Sequence, residues 1–414
     1  MSERFSANYV LRTLDDADRA AGIIAGEQSS GTFVSTPGED EALKARSAAR
    51  VEMLEEIEDA GGPALPGSAG NGPIRSWRLR LSWPLENIGP SIPNLIATVA
   101  GNLGELKQVA GLKITDLDLP PSFFGTYPGP AFGIEGTRRL SGVTKGPLIG
   151  TIIKPSVGLT PAGTAELVEE LCAGGIDFIK DDELQADGPR CPFEERLAAV
   201  MDVIDRHADR TGRKVMYAAN ITGEIDEMQR RHDLVANRGG TCVMVSLNCV
   251  GPAGVTALRR ASHLPIHAHR NGWGILGRAP DNGWSYPAWA TLWRLAGVDH
   301  MHVNGLTNKF WEPDDSVIRS ARHCLSPLHP DHPYTVMPVF SSGQTVLQAA
   351  PTFAQLGSAD LIFCAGGGVV AHPAGVAAGV TSLRQAWEAA EAGVPLAEAA
   401  SRSALLQQAV EKFS

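Results

Sequence analysis

The sequence predicts an α/β protein in which a C-terminal (β/α)8 TIM barrel is preceded by a smaller α+β domain of ferredoxin-like type. From Leu148 onward, eight short apolar runs alternate with longer amphipathic stretches, which is the count of a (β/α)8 barrel. The chain before this point lacks that alternation. A doubly wound open sheet is the structural alternative, but it rarely runs to eight such units. We therefore expect an N-terminal domain over residues 1–125 and a barrel domain over residues 126–414.

The predicted elements follow in chain order. In the N-terminal domain, ANYVLRTL and IRSWRLRLSWPL indicate strands, and AARVEMLEEIEDA and SIPNLIATVAGNLGEL indicate helices. A Pro/Gly-rich connection, DLPPSFFGTYPGP, then leads to the barrel. Among the barrel helices, the first has Thr160 as its N-cap and Gly174 as its stop. The eight barrel strands are predicted in the runs that begin at Leu148, Gly175, Lys214, Thr241, Leu264, Asp299, Tyr334 and Ala359.

The composition indicates which kinds of binding partner the protein lacks. The formal net charge is -10 and the chain has no block of Lys and Arg, which argues against a nucleic-acid or anionic-membrane partner. The six cysteines include no C-x-x-C pair, the N-terminus MSERFSANYVLRTLDD has no apolar signal-peptide core, and no uninterrupted apolar stretch reaches the length of a membrane span. We therefore expect a cytoplasmic protein with reduced thiols.

Polar residues gather where the predicted barrel strands end, which is where barrel enzymes place their functional groups. Any one of them alone is better explained as a solvated loop residue, but a whole set on one rim is harder to dismiss. The set comprises Lys154, Lys180, Asp182, Glu183, Asn220, Asn248, His267, His269, Arg270, His302, Asn304, Ser341 and Gly366–Gly368.

The segment IKDDE is the sharpest local feature. Lys180 and Asp182 share one face of a strand, and Glu183 lies at its junction with the loop. Two carboxylates suit a hard cation such as Mg2+, but a lysine ammonium would repel it. A carbamate formed from CO2 on Lys180 would remove this conflict and add an oxygen ligand. Taken in isolation, the segment is better explained as a surface salt-bridge cluster.

The motifs together resemble the large subunit of ribulose-1,5-bisphosphate carboxylase/oxygenase (RuBisCO), and the non-CO2-fixing RuBisCO-like proteins in particular. GTIIKPSVGLTP followed by GGIDFIKDDE is similar to the family's signature around its first catalytic lysine and its metal-binding lysine. The resemblance implies a carbamate on Lys180, Mg2+ ligation by Lys180, Asp182 and Glu183, and proton transfer by Lys154.

Further segments extend the resemblance along nearly the whole chain. IHAHR, HMHVNG, MPVFSSG and AGGGVVAHPAG match the family's strand-five to strand-eight segments, and GEQSSGTF and VAGNLGEL match two segments of its N-terminal domain. They imply a homodimer, or an assembly of dimers, in which Glu27 and Asn102 complete the partner's site. The barrel residues to which they assign catalytic, substrate or phosphate contacts are His267, His269, Arg270, His302, Ser341, Gly367 and Gly368.

The chain also departs from the carboxylase pattern. Ser156 replaces a second active-site lysine, Ile152 replaces a threonine and Phe33 replaces a tryptophan. Lys309 matches the lysine of the mobile strand-six loop, but the glycine-rich setting of that lysine is lost. These differences argue against CO2 fixation on ribulose bisphosphate.

The resemblance then implies an Mg2+-dependent enzyme that forms an enediolate from a phosphorylated keto-sugar acid. The favoured activity is decarboxylation of 3-oxo-isoapionate 4-phosphate, with Lys154 or Lys309 as the proton donor and His269 among the catalytic groups. One alternative is a methionine-salvage enolase or tautomerase that acts on 2,3-diketo-5-methylthiopentyl 1-phosphate. The other is a relative that binds a phosphosugar without catalysis.

Overall fold

The computed structural model of the chain describes residues 3–30 and 38–414. Phe33, one of the departures noted above, lies outside the described residues. Two compact units are present, one made of the chain up to Pro128 with Gly272–Leu295, the other of Gly129–Asn271 with Ala296–Ser414. The boundary after residue 125 stays a prediction. In the part of the chain that is described, no helix is both long and apolar enough to span a membrane.

The strands, numbered in chain order, are β1 (Arg4–Thr13), β2 (Arg50–Ile57), β3 (Arg75–Pro84), β4 (Gly111–Asp118), β5 (Leu148–Ile152), β6 (Phe178–Lys180), β7 (Met216–Asn220), β8 (Cys242–Ser246), β9 (Ile266–His269), β10 (Gly283–Trp284), β11 (His300–His302), β12 (Met337–Phe340) and β13 (Ile362–Cys364). The helices are α1 (Ala17–Glu27), α2 (Glu41–Ser47), α3 (Ile92–Val99), α4 (Pro121–Thr126), α5 (Gly133–Ser141), α6 (Pro161–Ala173), α7 (Phe193–Thr211), α8 (Ile225–Asn237), α9 (Leu247–Ala261), α10 (Trp273–Gly277), α11 (Tyr286–Ala296), α12 (Asp314–Leu325), α13 (Ala349–Leu356), α14 (Gly367–Val370), α15 (Val376–Glu391), α16 (Leu396–Ser401) and α17 (Ala404–Phe413).

The first unit is built on a five-stranded sheet with strand order β10-β4-β1-β3-β2. β1 lies antiparallel between β3 and β4. The strands predicted from ANYVLRTL and IRSWRLRLSWPL are confirmed as β1 and β3. Of the helix predicted from SIPNLIATVAGNLGEL, the first half is confirmed as α3. The second half is wrong, because the helix ends after Val99 and only a short 3-10 helix follows, over Leu103–Glu105.

The helix predicted over AARVEMLEEIEDA is wrong, because most of that segment forms the edge strand β2. Its Met, Leu and Glu residues have good helix propensity, but propensity is a weak guide where pairing is available. β2 pairs antiparallel with β3, and the Glu55 carboxylate lies 3.3 Å from the Arg78 guanidinium across the two strands. Glu56 and Arg75 form a second such pair. These cross-strand charge pairs and the backbone ladder favour the strand over the helix.

The second unit is a closed barrel of eight parallel strands, β5 to β9 and β11 to β13, and all eight lie in the runs predicted from the sequence. Thr160 caps α6, accepting a hydrogen bond from the Gly163 N–H at 3.2 Å, and Gly174 is the C-cap, as predicted. The interior is filled by apolar side chains that include Phe178 of β6. Because strand side chains alternate, Lys180 points to the same side as Phe178, one layer closer to the carboxyl end of the strand.

Candidate active site

Two lysines and two carboxylates meet at the carboxyl ends of β5 and β6: Lys154 follows β5, and the IKDDE segment supplies Lys180, Asp182 and Glu183. The Lys154 Nζ lies 2.7 Å from Oδ2 of Asp182, and the Lys180 Nζ lies 3.6 Å from Oε2 of Glu183. Lys180 and Asp182 are buried, whereas Lys154 and Glu183 are partly exposed. The four residues therefore form one cluster that faces the barrel rim.

Burial is the main influence on Lys180, whose Nζ donates to the Asp181 carbonyl at 2.7 Å. It lowers the pKa of Lys180, against the raising effect of Glu183 and Asp182. A lowered pKa makes the neutral amine easier to form, and the neutral amine is the form that can attack CO2.

The two carboxylates are held in their ionised form. Burial alone would raise the pKa of Asp182, but the hydrogen bonds from Lys154 and from the Leu184 N–H outweigh it, and the pKa is lowered. Burial also opposes ionisation of Glu183, yet the charges of His269 and Lys180 lower its pKa. Ionised carboxylates are the oxygen donors that Mg2+ prefers.

This donor set fits a magnesium site whose third ligand is a carbamylated Lys180. Across residues 3–30 and 38–414, no group of three or more His, Cys, Asp and Glu side chains is arranged to hold a metal ion. The rim cluster instead offers two carboxylates and a buried lysine with a lowered pKa. Conversion of that lysine to a carbamate would turn a repelling cation into an oxygen ligand. Metal ligation by these residues stays a prediction.

A second layer of polar residues, of which sequence reasoning had named only Asn220, holds the backbone of the cluster. Asp181 is fully buried and accepts hydrogen bonds from the Tyr217 hydroxyl at 2.7 Å and the Asn220 N–H at 2.9 Å. Arg196 forms an ion pair with it at 3.2 Å. The Asn220 side chain donates to the carbonyls that follow, those of Asp182 and Glu183, at 3.2 and 3.3 Å. Strand alternation was the available signal, because it turns Asp181 away from the face of Lys180 and Asp182.

Ser156, which stands where the resemblance places a second lysine, accepts a hydrogen bond from the Lys154 Nζ at 2.8 Å. Lys154 therefore bridges Ser156 and Asp182. The loss of the second lysine leaves the first one oriented by two oxygen acceptors.

The histidines of β9 and β11, the fifth and sixth strands of the barrel, lie in two environments. The His269 Nε2 lies 3.4 Å from Glu183, and burial lowers the pKa of His269 to about 4. His267 and His302 lie inside the barrel, joined through their Nε2 atoms at 2.8 Å, and the His302 Nδ1 lies 3.0 Å from the Ser341 hydroxyl. The structure thus brings His269 to the lysine–carboxylate cluster and places His302 against Ser341.

Arg270, which was predicted to bind phosphate, forms an ion pair at 2.7 Å with Glu312 of the loop after β11. Glu312 is buried and also accepts a hydrogen bond from the Asn304 amide at 3.3 Å. In this arrangement an incoming phosphate and Glu312 compete for the same guanidinium. The predicted role of Arg270 is not tested by this geometry.

The glycines after β13 lie at the start of a short helix. Gly367 and Gly368 begin α14, so no carbonyl within that helix can accept from their N–H groups. A side chain at Gly368 would place its Cβ 2.4 Å from the Gln344 carbonyl oxygen, while a Cβ at Gly367 would meet nothing within 4 Å. Close backbone packing therefore requires a glycine at 368, and the position after strand eight is where barrels commonly bind phosphate.

The remaining predicted residues lie elsewhere. The Lys309 N–H donates to the Ser342 carbonyl at 3.3 Å, and its Nζ lies 5.2 Å from the centre of the exposed Phe310 ring. In the first unit, Glu27 ends α1, and the next residue, Gln28, bridges to Asn102: its amide oxygen accepts from the Asn102 N–H at 3.0 Å and its amide nitrogen donates to the Ala97 carbonyl. The end of α1 therefore contacts the segment of Asn102 within that unit.

Comparison with known proteins agrees with the resemblance. The catalytic-domain family of the ribulose bisphosphate carboxylase large chain matches residues 133–413, and the N-terminal-domain family of the same chain matches residues 12–123. The chain is 60% identical to a 3-oxo-isoapionate-4-phosphate transcarboxylase/hydrolase of Xanthobacter autotrophicus, over 99% of each protein. It is 45% identical to a 3-oxo-isoapionate-4-phosphate decarboxylase of Rhizobium rhizogenes, over 98% of this chain and 97% of that one.

Solved structures show the same similarity. A RuBisCO-like protein from Burkholderia fungorum superposes with a TM-score of 0.92 at 47% identity, over 99% of each chain. An octameric RuBisCO from Pyrococcus horikoshii superposes with a TM-score of 0.90 at 32% identity, over 99% of this chain and 93% of that one. The family matches span most of the chain, and the chain belongs to the RuBisCO large-chain family as a RuBisCO-like protein.

Proposed function

We propose that this protein removes the carboxylate from 3-oxo-isoapionate 4-phosphate in an Mg2+-dependent reaction. The observation that carries the proposal is the cluster of Lys154, Lys180, Asp182 and Glu183 at the barrel rim. The names of the relatives from Xanthobacter and Rhizobium supply the substrate.

Family membership implies Mg2+ and lysine-carbamate chemistry in general terms. Here Asp182, Glu183 and carbamylated Lys180 would hold the ion. When bound, Mg2+ supplies a Lewis acid that stabilises negative charge developing on the substrate oxygens.

The residues of the chain have separate tasks in this proposal. The N–H groups of Gly367 and Gly368 bind the phosphate, and Ser341 contacts the sugar acid. After the carboxylate leaves, Lys154 returns a proton to the carbon that carried it. Its position between Asp182 and Ser156 keeps that ammonium at the rim of the site. Lys309 is the second candidate for this proton.

A second candidate function concerns the fate of the carboxyl group. The Xanthobacter relative is named a transcarboxylase/hydrolase and is more similar to this chain than the Rhizobium decarboxylase. In a transcarboxylation the carboxyl carbon stays in an organic product instead of leaving as CO2. Substrate labelled with 13C in its carboxyl group separates the two, because NMR follows the label into bicarbonate or into a carboxylic acid.

The test uses purified protein incubated with Mg2+ and unlabelled bicarbonate. We expect loss of the labelled carboxyl group from the substrate, and we expect it to stop in Lys180→Met and in Asp182→Asn. Asp315→Asn makes the same change at an exposed carboxylate on α12 and is the matched control. An unchanged substrate would contradict the proposal. If the same protein instead exchanged deuterium into a diketo phosphate, the enolase alternative would replace it; binding of the sugar phosphate with neither reaction would leave the non-catalytic alternative.

We also propose a homodimer in which Glu27 and Asn102 complete the partner's site, as the resemblance implies. Subunit mixing tests this arrangement. Glu27→Gln and Lys180→Met carry their defects on different units of the chain, so a mixed dimer retains one intact site. We expect activity to return when the two inactive variants are refolded together. No recovery in verified mixed dimers would contradict shared sites.

A further inference from the structure

We propose that Thr137, a buried residue of α5, sets the tautomers of three barrel histidines and thereby the direction of the Ser341 hydroxyl. The three residues are His302, His267 and His300, called the histidine chain below. All three are buried inside the barrel, and none of the motifs discussed above involves Thr137. The tautomer pattern is a property of the protein without substrate; its effect on turnover rests on the proposed function.

The histidine chain is continuous from the Ser341 hydroxyl to Thr137. The Ser341 Oγ lies 3.0 Å from the His302 Nδ1, and the two Nε2 atoms of His302 and His267 are 2.8 Å apart. The Nδ1 atoms of His267 and His300 are 3.4 Å apart, which makes this the longest link. The His300 Nε2 lies 2.8 Å from the Thr137 hydroxyl.

The direction of the hydrogen bonds follows from the Thr137 end. The Thr137 hydroxyl makes a close contact with the Gly133 carbonyl, which can only accept, so the single hydroxyl proton is used there. The Thr137 oxygen must then accept from His300, which carries its proton on Nε2. A neutral imidazole has one donor and one acceptor nitrogen, so the His300 Nδ1 accepts.

The same reasoning passes along the remaining links. The His267 Nδ1 donates to His300, and the His267 Nε2 therefore accepts from the His302 Nε2. The His302 Nδ1 is then left as an acceptor, and the Ser341 hydroxyl donates to it. Burial lowers the pKa of all three histidines, that of His300 to about 3, which keeps them neutral. His267 is thus the one member with its proton on Nδ1.

This order has a consequence at the active site. Because the Ser341 proton is directed to His302, the Ser341 oxygen presents lone pairs to a bound ligand. Removing the Thr137 hydroxyl would leave a buried N–H of His300 without an acceptor, and buried N–H groups are rarely left unpaired. Reversal of all three tautomers relieves that N–H and turns the Ser341 proton toward the ligand. Thr137 is therefore a positioning residue that acts through the histidine chain.

The experiment is imidazole 15N NMR on the full-length protein with 15N-labelled histidine and no substrate. In the wild type we expect, among the assigned signals of the histidine chain, one histidine with its proton on Nδ1 and two with theirs on Nε2. Thr137→Val, close in shape but without a hydroxyl, should reverse the pattern to two and one, whereas Thr137→Ser should retain the wild-type pattern. In the turnover assay, Thr137→Val should lose about tenfold in kcat/KM, and Thr137→Ser should restore it.

Ser341→Ala distinguishes this proposal from the alternative in which the Ser341 hydroxyl, at the rim, sets the tautomers of the histidine chain. If Thr137 sets the order, the three tautomers stay as in the wild type when the Ser341 hydroxyl is removed. A changed pattern in Ser341→Ala, or an unchanged pattern in folded Thr137→Val, would overturn the proposal. Should Thr137→Val fail to fold, the wild-type and Ser341→Ala spectra still decide it. Because no substrate is present, the spectra are independent of whether the proposed reaction is correct.

Discussion

The buried ion pair behind the lysine–carboxylate cluster allows a quantitative test. Asp181 and Arg196 are both almost completely buried, and Arg196 also donates to the carbonyls of Ala186 and Cys191 at 2.7 and 3.0 Å. Burial alone would lower the pKa of Arg196, but the charge of Asp181 outweighs it and the pKa is raised. Removal of one partner leaves the other as an unpaired buried charge. We expect Arg196→Met and Asp181→Asn each to cost about 3–5 kcal/mol of stability.

The double variant should cost clearly less than the sum, because neither charge is then left alone. We expect a coupling energy of about 2–3 kcal/mol. With an unfolding entropy of roughly 2 cal/mol/K per residue, a chain of this length loses about 1 °C in Tm for each kcal/mol. Each single variant should therefore melt about 3–6 °C lower, and the double variant should recover about 2–3 °C of the summed loss. Calorimetry in EDTA removes any contribution from bound metal.

A matched control is available in the same unit. Arg230 of α8 pairs with Glu194 of α7, but the two side chains are 46% and 61% exposed. A cycle of Arg230→Met and Glu194→Gln should show a coupling below about 1 kcal/mol. Additive Tm shifts at Asp181 and Arg196, no larger in coupling than those of the exposed pair, would refute the reasoning.

Three further predictions follow from the same geometry. Lys154→Met should bind Mg2+ about tenfold more tightly by calorimetry and yet lose turnover, because the ammonium next to Asp182 repels the ion, an effect reduced here by partial exposure. Weaker Mg2+ binding would contradict this. Gly368→Ala should cost about 1–3 kcal/mol and lower Tm through its clash with the Gln344 carbonyl, whereas Gly367→Ala should leave Tm unchanged. Because the folded-state pKa of each member of the histidine chain lies below its unfolded value, stability is full above about pH 6.5 and falls as pH drops below it, by about 4 kcal/mol per pH unit for three histidines. Tm that stays constant from pH 7 to pH 5 would contradict that assignment.

Most of the barrel could be predicted from the sequence because its strands are covered on both faces and therefore read as apolar runs. The edge strand β2 could not be predicted in this way. None of its side chains is fully buried, so its charged residues show no strand periodicity and its pairing with β3 is a long-range property. β4 was not recognised for a related reason, since GLKITDLD carries its charges on the half-exposed face of the sheet.

The residues at the rim were predictable because strand ends converge in a barrel, whichever helices lie between them. Their partners were not. Arg196 lies within α7, where an arginine ordinarily faces solvent, and only the folded chain shows that it points at Asp181. Arg270 follows β9 and Glu312 lies in the loop after β11, and neither segment contains a sequence signal that the two side chains pair. Both cases depend on which charges burial brings together, and periodicity carries no information about that.

The charges at the rim bear directly on the proposed carbamate of Lys180. When both lysines are protonated, Lys154 and Lys180 balance Asp182 and Glu183, and the cluster has no net charge with which to attract a cation. Carbamylation of Lys180 would replace a positive charge with a negative one. The cluster would then have a net charge of about −2, which is equal in size and opposite in sign to the charge of Mg2+. A second lysine in place of Ser156 would halve that surplus and compete with the ion. The serine instead accepts a hydrogen bond from Lys154 and adds no charge, so in the proposed carbamylated state the cluster keeps the full negative charge that would balance Mg2+.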